Sequence, residues 1–115
     1  AQRLVKTICG KCKVDAPMTS DQMKMLRITE EDVKGRDIHY GTGCDDCLNT
    51  GYKGRRGIYE MLQMSDESRE LIAKRTPAML LREKCIESGM QTLRTDGLRV
   101  MFSGESTFEE VMKYT

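Results

Sequence analysis

The 115-residue chain has no tryptophan, two phenylalanines, two prolines and one histidine. Aromatic residues make up 5% and hydrophobic residues 38%, a thin supply for a core. A domain this small with so little to bury needs a further constraint on its fold. Charge of one sign is missing as well. Nineteen basic residues stand against eighteen acidic ones, a formal +1. That balance argues against a protein that coats nucleic acid or works through an acidic tail. The four tyrosines and two phenylalanines also leave few rings for stacking on bases. No apolar run approaches the ~18 residues of a membrane-spanning helix.

What the chain does have is five cysteines, and four of them form two pairs, Cys9-Gly10-Lys11-Cys12 and Cys44-Asp45-Asp46-Cys47. A Cys-x-x-Cys turn lets two thiolates reach one metal ion while backbone N–H groups face the sulfurs. Two such knuckles complete a tetrahedral S4 shell, for which zinc is the usual occupant. The expected ligands are therefore Cys9, Cys12, Cys44 and Cys47, with Zn2+ in a structural role. Lys11, Lys13 and the amides near Gly10 and Gly43 are candidate donors that temper the thiolate charge. The 31 residues between the pairs, 13–43, exceed the common zinc-ribbon spacing and predict an inserted segment.

Other uses of the cysteines fit less well. Two disulfides need an oxidising compartment that nothing in the sequence indicates. A thioredoxin-type pair should open a helix in a βαβ setting, and Lys13-Val14-Asp15-Ala16-Pro17 breaks that pattern. Four cysteines also suit an iron–sulfur cluster. A catalytic zinc is disfavoured because four thiolates leave no position for water. His39 is a spare ligand for a shell that is already full.

Along the chain, residues 1–8 read as a strand already under way, which predicts a piece of a larger protein. Thr19 or Ser20 caps a helix over 21–26, and Thr29-Glu30-Glu31-Asp32 starts a second short turn. Residues 37–40 alternate as a strand. Gly51, Gly54 and Gly57 read as tight turns, followed by a strand over 56–62. Helical patterning then takes over. Ser65 caps a helix over 66–74. Thr76-Pro77 opens a second that Gly89 closes. A third covers 92–103, and Thr107 with Glu110 predicts a capping box for the last.

Cys85 falls on a stripe with Ala78, Leu81 and Ser88 and reads as a core thiol. Gly97 inside the third helix predicts close packing of another helix. Met61, Met64, Met79, Met90, Met101 and Met112 occupy expected core positions. Met18, Met23 and Met25 cluster beside the polar insertion, where filling the core is preferred to forming a contact surface.

Three stretches together resemble a known family. Ala1-Gln2-Arg3-Leu4-Val5-Lys6-Thr7-Ile8-Cys9 through Cys12-Lys13 is similar to the segment after the nucleotide-binding core of the secretion ATPases, the motors of type II secretion and type IV pilus assembly. The run Gly43-Cys44-Asp45-Asp46-Cys47-Leu48-Asn49-Thr50-Gly51-Tyr52-Lys53-Gly54-Arg55-Arg56-Gly57-Ile58-Tyr59-Glu60 resembles that family's second knuckle and following strand. Thr92-Leu93-Arg94-Thr95-Asp96-Gly97-Leu98 and Ser106-Thr107-Phe108-Glu109-Glu110-Val111 resemble its C-terminal helices.

The resemblance implies an α+β piece of a hexameric ATPase at the cytoplasmic face of a bacterial inner membrane. Residues 1–8 would end a core strand. Residues 9–62 would form the tetracysteine zinc subdomain with its helical insertion, and 63–115 a C-terminal helical subdomain. Implied partners are the rest of the hexamer and the inner-membrane platform and adaptor proteins. Nucleic acid and direct membrane insertion are not expected. The tetracysteine motif favours the assembly and secretion branch over the retraction motors.

ATP and Mg2+ would belong to the full-length protein. A phosphate-binding loop needs Gly-x-x-x-x-Gly-Lys-[Ser/Thr], and these 115 residues contain none. No catalytic residue is therefore assigned. Glu60 and Arg55 read as an exposed pair or strand-edge packing. The competing reading is a standalone zinc-knuckle binding module, chaperone-like or acting on nucleic acid. Lys6, Lys11, Lys13, Lys53, Arg55 and Arg56 would be its basic patch.

Overall fold

A computed structural model describes every residue from Ala1 to Thr115. The fold is α+β, with short strands and short helices. Strand β1 (Gln2–Ile8) pairs antiparallel with β4 (Tyr52–Tyr59), and β2 (Lys13–Pro17) pairs antiparallel with β3 (Asp37–Gly41). Between β2 and β3 lie the helices α1 (Ser20–Leu26) and α2 (Glu30–Val33). The 31 residues separating the cysteine pairs are thus one β2–α1–α2–β3 excursion. The chain leaves along β1 and turns through the first knuckle. It makes the excursion, turns through the second knuckle, and returns along β4. Pairing of β1 with β4 and of β2 with β3 sets the two knuckles side by side.

Four further helices follow: α3 (Asp66–Ala73), α4 (Ala78–Glu87), α5 (Leu93–Phe102) and α6 (Phe108–Tyr114). Side-chain oxygens of Thr19, Thr29, Ser65 and Thr107 accept first-turn N–H groups, as their sequence positions predict, and so does that of Thr92, which the sequence reading places inside its helix. At Thr19, Thr29 and Ser65 the bond is reciprocated by the third helical residue. The expected reciprocal bond at Thr107 does not form. The Glu110 carboxylate instead accepts the backbone N–H of Lys6, 2.8 Å away on β1. A strand N–H that faces no neighbouring strand is thereby satisfied, and α6 is tied to the sheet.

Two apolar clusters hold this part of the molecule. Met18, Leu26, Val33 and Ile38 from the excursion pack with Met101, Phe108 and Val111 from α5 and α6. Val5, Ile58 and Val100 form a second cluster beneath β1 and β4. Gly97 permits the α5–α6 approach, because a Cβ there would lie 3.1 Å from Val111 and 3.2 Å from Thr115. Close packing of another helix is what its place in the sequence predicts.

Several sequence expectations need correction. The last strand covers Tyr52–Tyr59 rather than 56–62, so Gly54 and Gly57 lie inside it and not in turns. Gly54 sits opposite a register break between Lys6 and Ile8 with φ +89°, the left-handed conformation that a bulge demands. Strand β2 is not expected from the sequence; Val14 and Ala16 alternate with Lys13, Asp15 and Pro17 over only five positions, and pairing with β3 makes it a strand. Of the six methionines expected in the core, Met101 is fully buried, whereas Met61 and Met79 are 76% and 77% exposed. The methionines near the insertion divide: Met18 is buried, Met23 packs against the first cluster and Met25 is exposed.

Candidate metal centre

The first knuckle follows β1 directly, and the second opens on Gly43 with φ +97°. A short 3₁₀ turn, Asp45–Cys47, then points Cys47 back toward Cys44. Two glycines bring the knuckles together. A Cβ on Gly41 at the end of β3 would collide with the carbonyl oxygen of Gly51, and one on Gly51 would lie 2.5 Å from the carbonyl oxygen of Gly41. The carbonyl of Gly51 also accepts the N–H of Cys9 at 3.0 Å. The backbone after the second knuckle therefore clasps the start of the first.

All four sulfurs lie within 4.8 Å of one another. Cys9 and Cys44 are 3.7 Å apart, Cys44 and Cys47 3.7 Å, and Cys12 and Cys47 3.8 Å. These distances rule out disulfide bonds, whose sulfurs sit about 2.05 Å apart. A regular tetrahedron of sulfurs about 2.3 Å from a central zinc has edges of about 3.8 Å. These three separations match that edge, so the four side chains fit the ion as they stand. Cys9, Cys12 and Cys47 are buried, and Cys44 is partly so.

Backbone N–H groups converge on the sulfurs. Cys12 Sγ accepts from Gly43 at 3.3 Å. Cys47 Sγ accepts from Cys44 at 3.3 Å and from Gly51 at 3.2 Å. Burial pushes the Cys12 thiol up to about 11 against the pull of the Gly43 amide. Burial also opposes ionisation of Cys47, but the amides of Gly51 and Cys44, with the neighbouring thiols, bring it down to about 6. The backbone amides around Cys47 thus favour its thiolate, the form that ligates a metal.

Of the donors expected from sequence, Gly43 faces a sulfur. Lys11 instead lies 3.6 Å from Asp46, which also takes a 2.8 Å bond from Lys53. The Lys53 ammonium beside it holds the Asp46 carboxyl below its usual range. Lys13 stands away from the cluster against Gly104. His39 turns its Nε2 to Asp15 at 3.3 Å and is not among the clustered ligands. The Gly51 amide was missed. Its position four residues past Cys47 was the available signal, and it reads in sequence as a plain turn.

Glu60 is paired, but with Arg82 rather than Arg55. Two bonds of 2.9 Å join it to that guanidinium, and a third of 2.9 Å comes from the N–H of Leu93. The carboxylate therefore fastens the end of β4 to α4 and to the start of α5. Cys85 is buried in α4, as expected of a core thiol.

The comparison with known proteins agrees with this build. The profile of the family described as "Type II/IV secretion system protein" matches residues 1–113. The chain belongs to that family. It is 38% identical over its whole length to the type IV pilus assembly ATPase PilB of Thermus thermophilus. It is 34% identical over its whole length to the type II secretion system protein E of Pectobacterium carotovorum, and 36% identical to the type II secretion system ATPase E of Vibrio cholerae. The chain spans 13% of the first of these relatives and 22% of each of the other two. No helix of this family member is long and apolar enough to cross a membrane.

Proposed function

We propose that the four cysteines bind one structural Zn2+ and that the chain is the tetracysteine and C-terminal helical portion of a secretion or pilus-assembly ATPase. The observation that carries the zinc reading is the sulfur cluster, with separations of 3.7–3.8 Å at the edge length of an S4 zinc site. A full thiolate shell leaves no coordination position for water, so the role is architectural. The ion would lock the β1–β4 ladder to the β2–β3 excursion and set the face that α5 and α6 cover.

In this reading residues 1–8 end a core strand, 9–62 make the zinc subdomain and 63–115 the helical subdomain. ATP and Mg2+ are held by the rest of the polypeptide, since the 115 residues have no phosphate-binding loop. The complete protein would work as a hexamer at the cytoplasmic face of the inner membrane. Its partners would be the platform and adaptor proteins of the machine, and its ATP hydrolysis would drive secretion or pilus assembly. The family match over residues 1–113 supports this reading above a standalone zinc-knuckle module.

Metal analysis of the purified chain is the direct test. One zinc per chain is expected, and Cys44→Ser should remove it. Purification with full thiol titre and no bound metal, in medium supplemented with zinc, would overturn the assignment.

A further inference from the structure

The geometry points to a phosphoryl-anion site in the hollow between the bulged end of β1 and the α5–α6 turn. The hollow has a volume of about 520 Å³ and is lined by Thr7, Ile8, Gly10, Lys13, Arg55, Arg56, Gly104 and Glu105. Three of those side chains are cationic and one is anionic. The Glu105 carboxylate is already matched by Arg56, which leaves the charge of Lys13 and Arg55 uncompensated. Neither has a carboxylate within ion-pair distance, and neither side chain makes a hydrogen bond. Both are exposed at the mouth, where a ligand can reach them.

The backbone makes room for this arrangement. Thr7 stands at the register break of the β1–β4 ladder. Along a regular strand neighbouring residues face opposite sides; at this break both Arg55 and Arg56 line one hollow. Gly104, in a left-handed conformation, has no side chain to block the floor. The Lys13 ammonium lies 2.5 Å from where its Cβ would be, and His39 Nδ1 lies 3.4 Å from the same point. That His39 nitrogen is buried without a hydrogen-bond partner. It lies on the Lys13 and Gly104 side of the hollow, a buried polar atom that the protein itself does not satisfy.

The chemistry selects the ligand class. Guanidinium groups offer paired N–H donors that match two oxygens of a tetrahedral phosphoryl group, and an ammonium adds a point charge. Only Ile8 of the eight lining residues is hydrophobic, which disfavours an apolar molecule. The same chemistry serves a free phosphate ester and a phospholipid headgroup.

Inorganic phosphate titrated into the 115-residue chain, followed by amide NMR at constant ionic strength, tests the site. Saturable shifts are expected at residues 7–10, 13, 55–56 and 104–105. The dissociation constant should be roughly millimolar, the scale open to a five-atom anion. Combined Lys13→Gln and Arg55→Gln substitution should weaken binding at least about tenfold. Both side chains are unbonded, so the rest of the spectrum should stay in place. Glu105→Gln, which frees Arg56, should tighten binding. Sedimentation with phosphatidylcholine vesicles, with and without one-third phosphatidylglycerol, separates the sources. Adherence that requires the anionic lipid and is lost in the double variant assigns a headgroup. Phosphate binding without adherence assigns a free ester. Linear shifts like those from chloride, or equal affinity in the double variant, would overturn the proposal.

Discussion

The two ends of this chain solve the shortage of apolar residues in different ways. The knuckle end joins two small sheets, four clustered thiols and helices α5 and α6, and it contains nearly every buried residue. The α3–α4 end, residues 61–91, buries only Ser68 and Cys85. It leaves Met61, Met79, Leu80 and Ile72 largely open to solvent. The shape reflects this. The radius of gyration is 17.0 Å with extents of 56 × 28 × 17 Å, against about 13 Å for a compact domain of this length. One end is closed by sheet pairing and shared packing. The other is an arm fastened at its root by Glu60, Arg82 and Leu93. Small chains can therefore hold order locally where long-range ties are dense and leave the remainder extended.

The sharpest way to break the contrast is to remove the proposed zinc. Binding to a tetracysteine site contributes on the order of 10 kcal/mol at neutral pH. Chelation or Cys44→Ser should collapse the amide dispersion of residues 5–60, while helix signals from 66–87 change far less. Unchanged dispersion at 5–60 after chelation would falsify the structural role.

Core truncation should separate the ends next. Met101 is fully buried in the cluster shared by the excursion and α5–α6. Met101→Ala should lose about 2–5 kcal/mol in urea unfolding. Met79→Ala, on the exposed arm, should stay within about 0.5 kcal/mol. Equal losses would mean the arm is packed as tightly as the knuckle end.

The glycine clasp gives a third comparison. Gly51→Ala places a Cβ against the Gly41 carbonyl in a left-handed backbone conformation, and should cost about 3 kcal/mol. Gly10→Ala meets no atom within 4 Å and should be nearly neutral. Thermal midpoints of the two variants, each purified with zinc in the medium, check this.

The smallest effect is at the root of the arm. Hydrogen bonds from Arg82 and Leu93 hold the Glu60 carboxyl at about 2, below its ordinary 4.5. A depressed carboxylate contributes its full stability above the ordinary value and loses it as pH falls toward the folded value. The contribution of Glu60 should therefore be complete above pH 4.5 and vanish as pH approaches 2. For this solvent-screened pair it should amount to about 1 kcal/mol. Glu60→Gln should lower the unfolding midpoint at pH 7 and converge with the parent near pH 2. A constant gap across that range would show that the clasp is not electrostatic.

Much of the local structure was readable. Four helix caps, at Thr19, Thr29, Ser65 and Thr107, follow from a Ser or Thr placed before polar-apolar periodicity, because the hydroxyl acts within three residues of its own position. The cysteine pairs are legible for the same reason: the two residues between them fix how two sulfurs meet. One local reading failed: α4 begins at Ala78 with Pro77 at the cap position and no side-chain cap, not with Thr76 as cap and Pro77 as first helical residue. The other failures depend on partners distant in the chain. Glu110 looked like half of a capping box and bonds to Lys6 instead. Glu60 took Arg82 as its partner. The methionines have no polar group to betray their exposure, and Met61 resembles Met101 until neighbours are placed around both.

The sequence by itself determined the four candidate ligands, four of the helix caps and the family resemblance, because each is written in residues close together in the chain. The tertiary structure decided how the two knuckles meet. Antiparallel pairing of β1 with β4 and β2 with β3 brings residues 35 apart to sulfur–sulfur distances of 3.7 and 3.8 Å. Two glycines with no Cβ let the backbones close around them. Spacing can name the thiols, but pairing across the sheets places them, since a metal shell is a constraint in space and not along the chain.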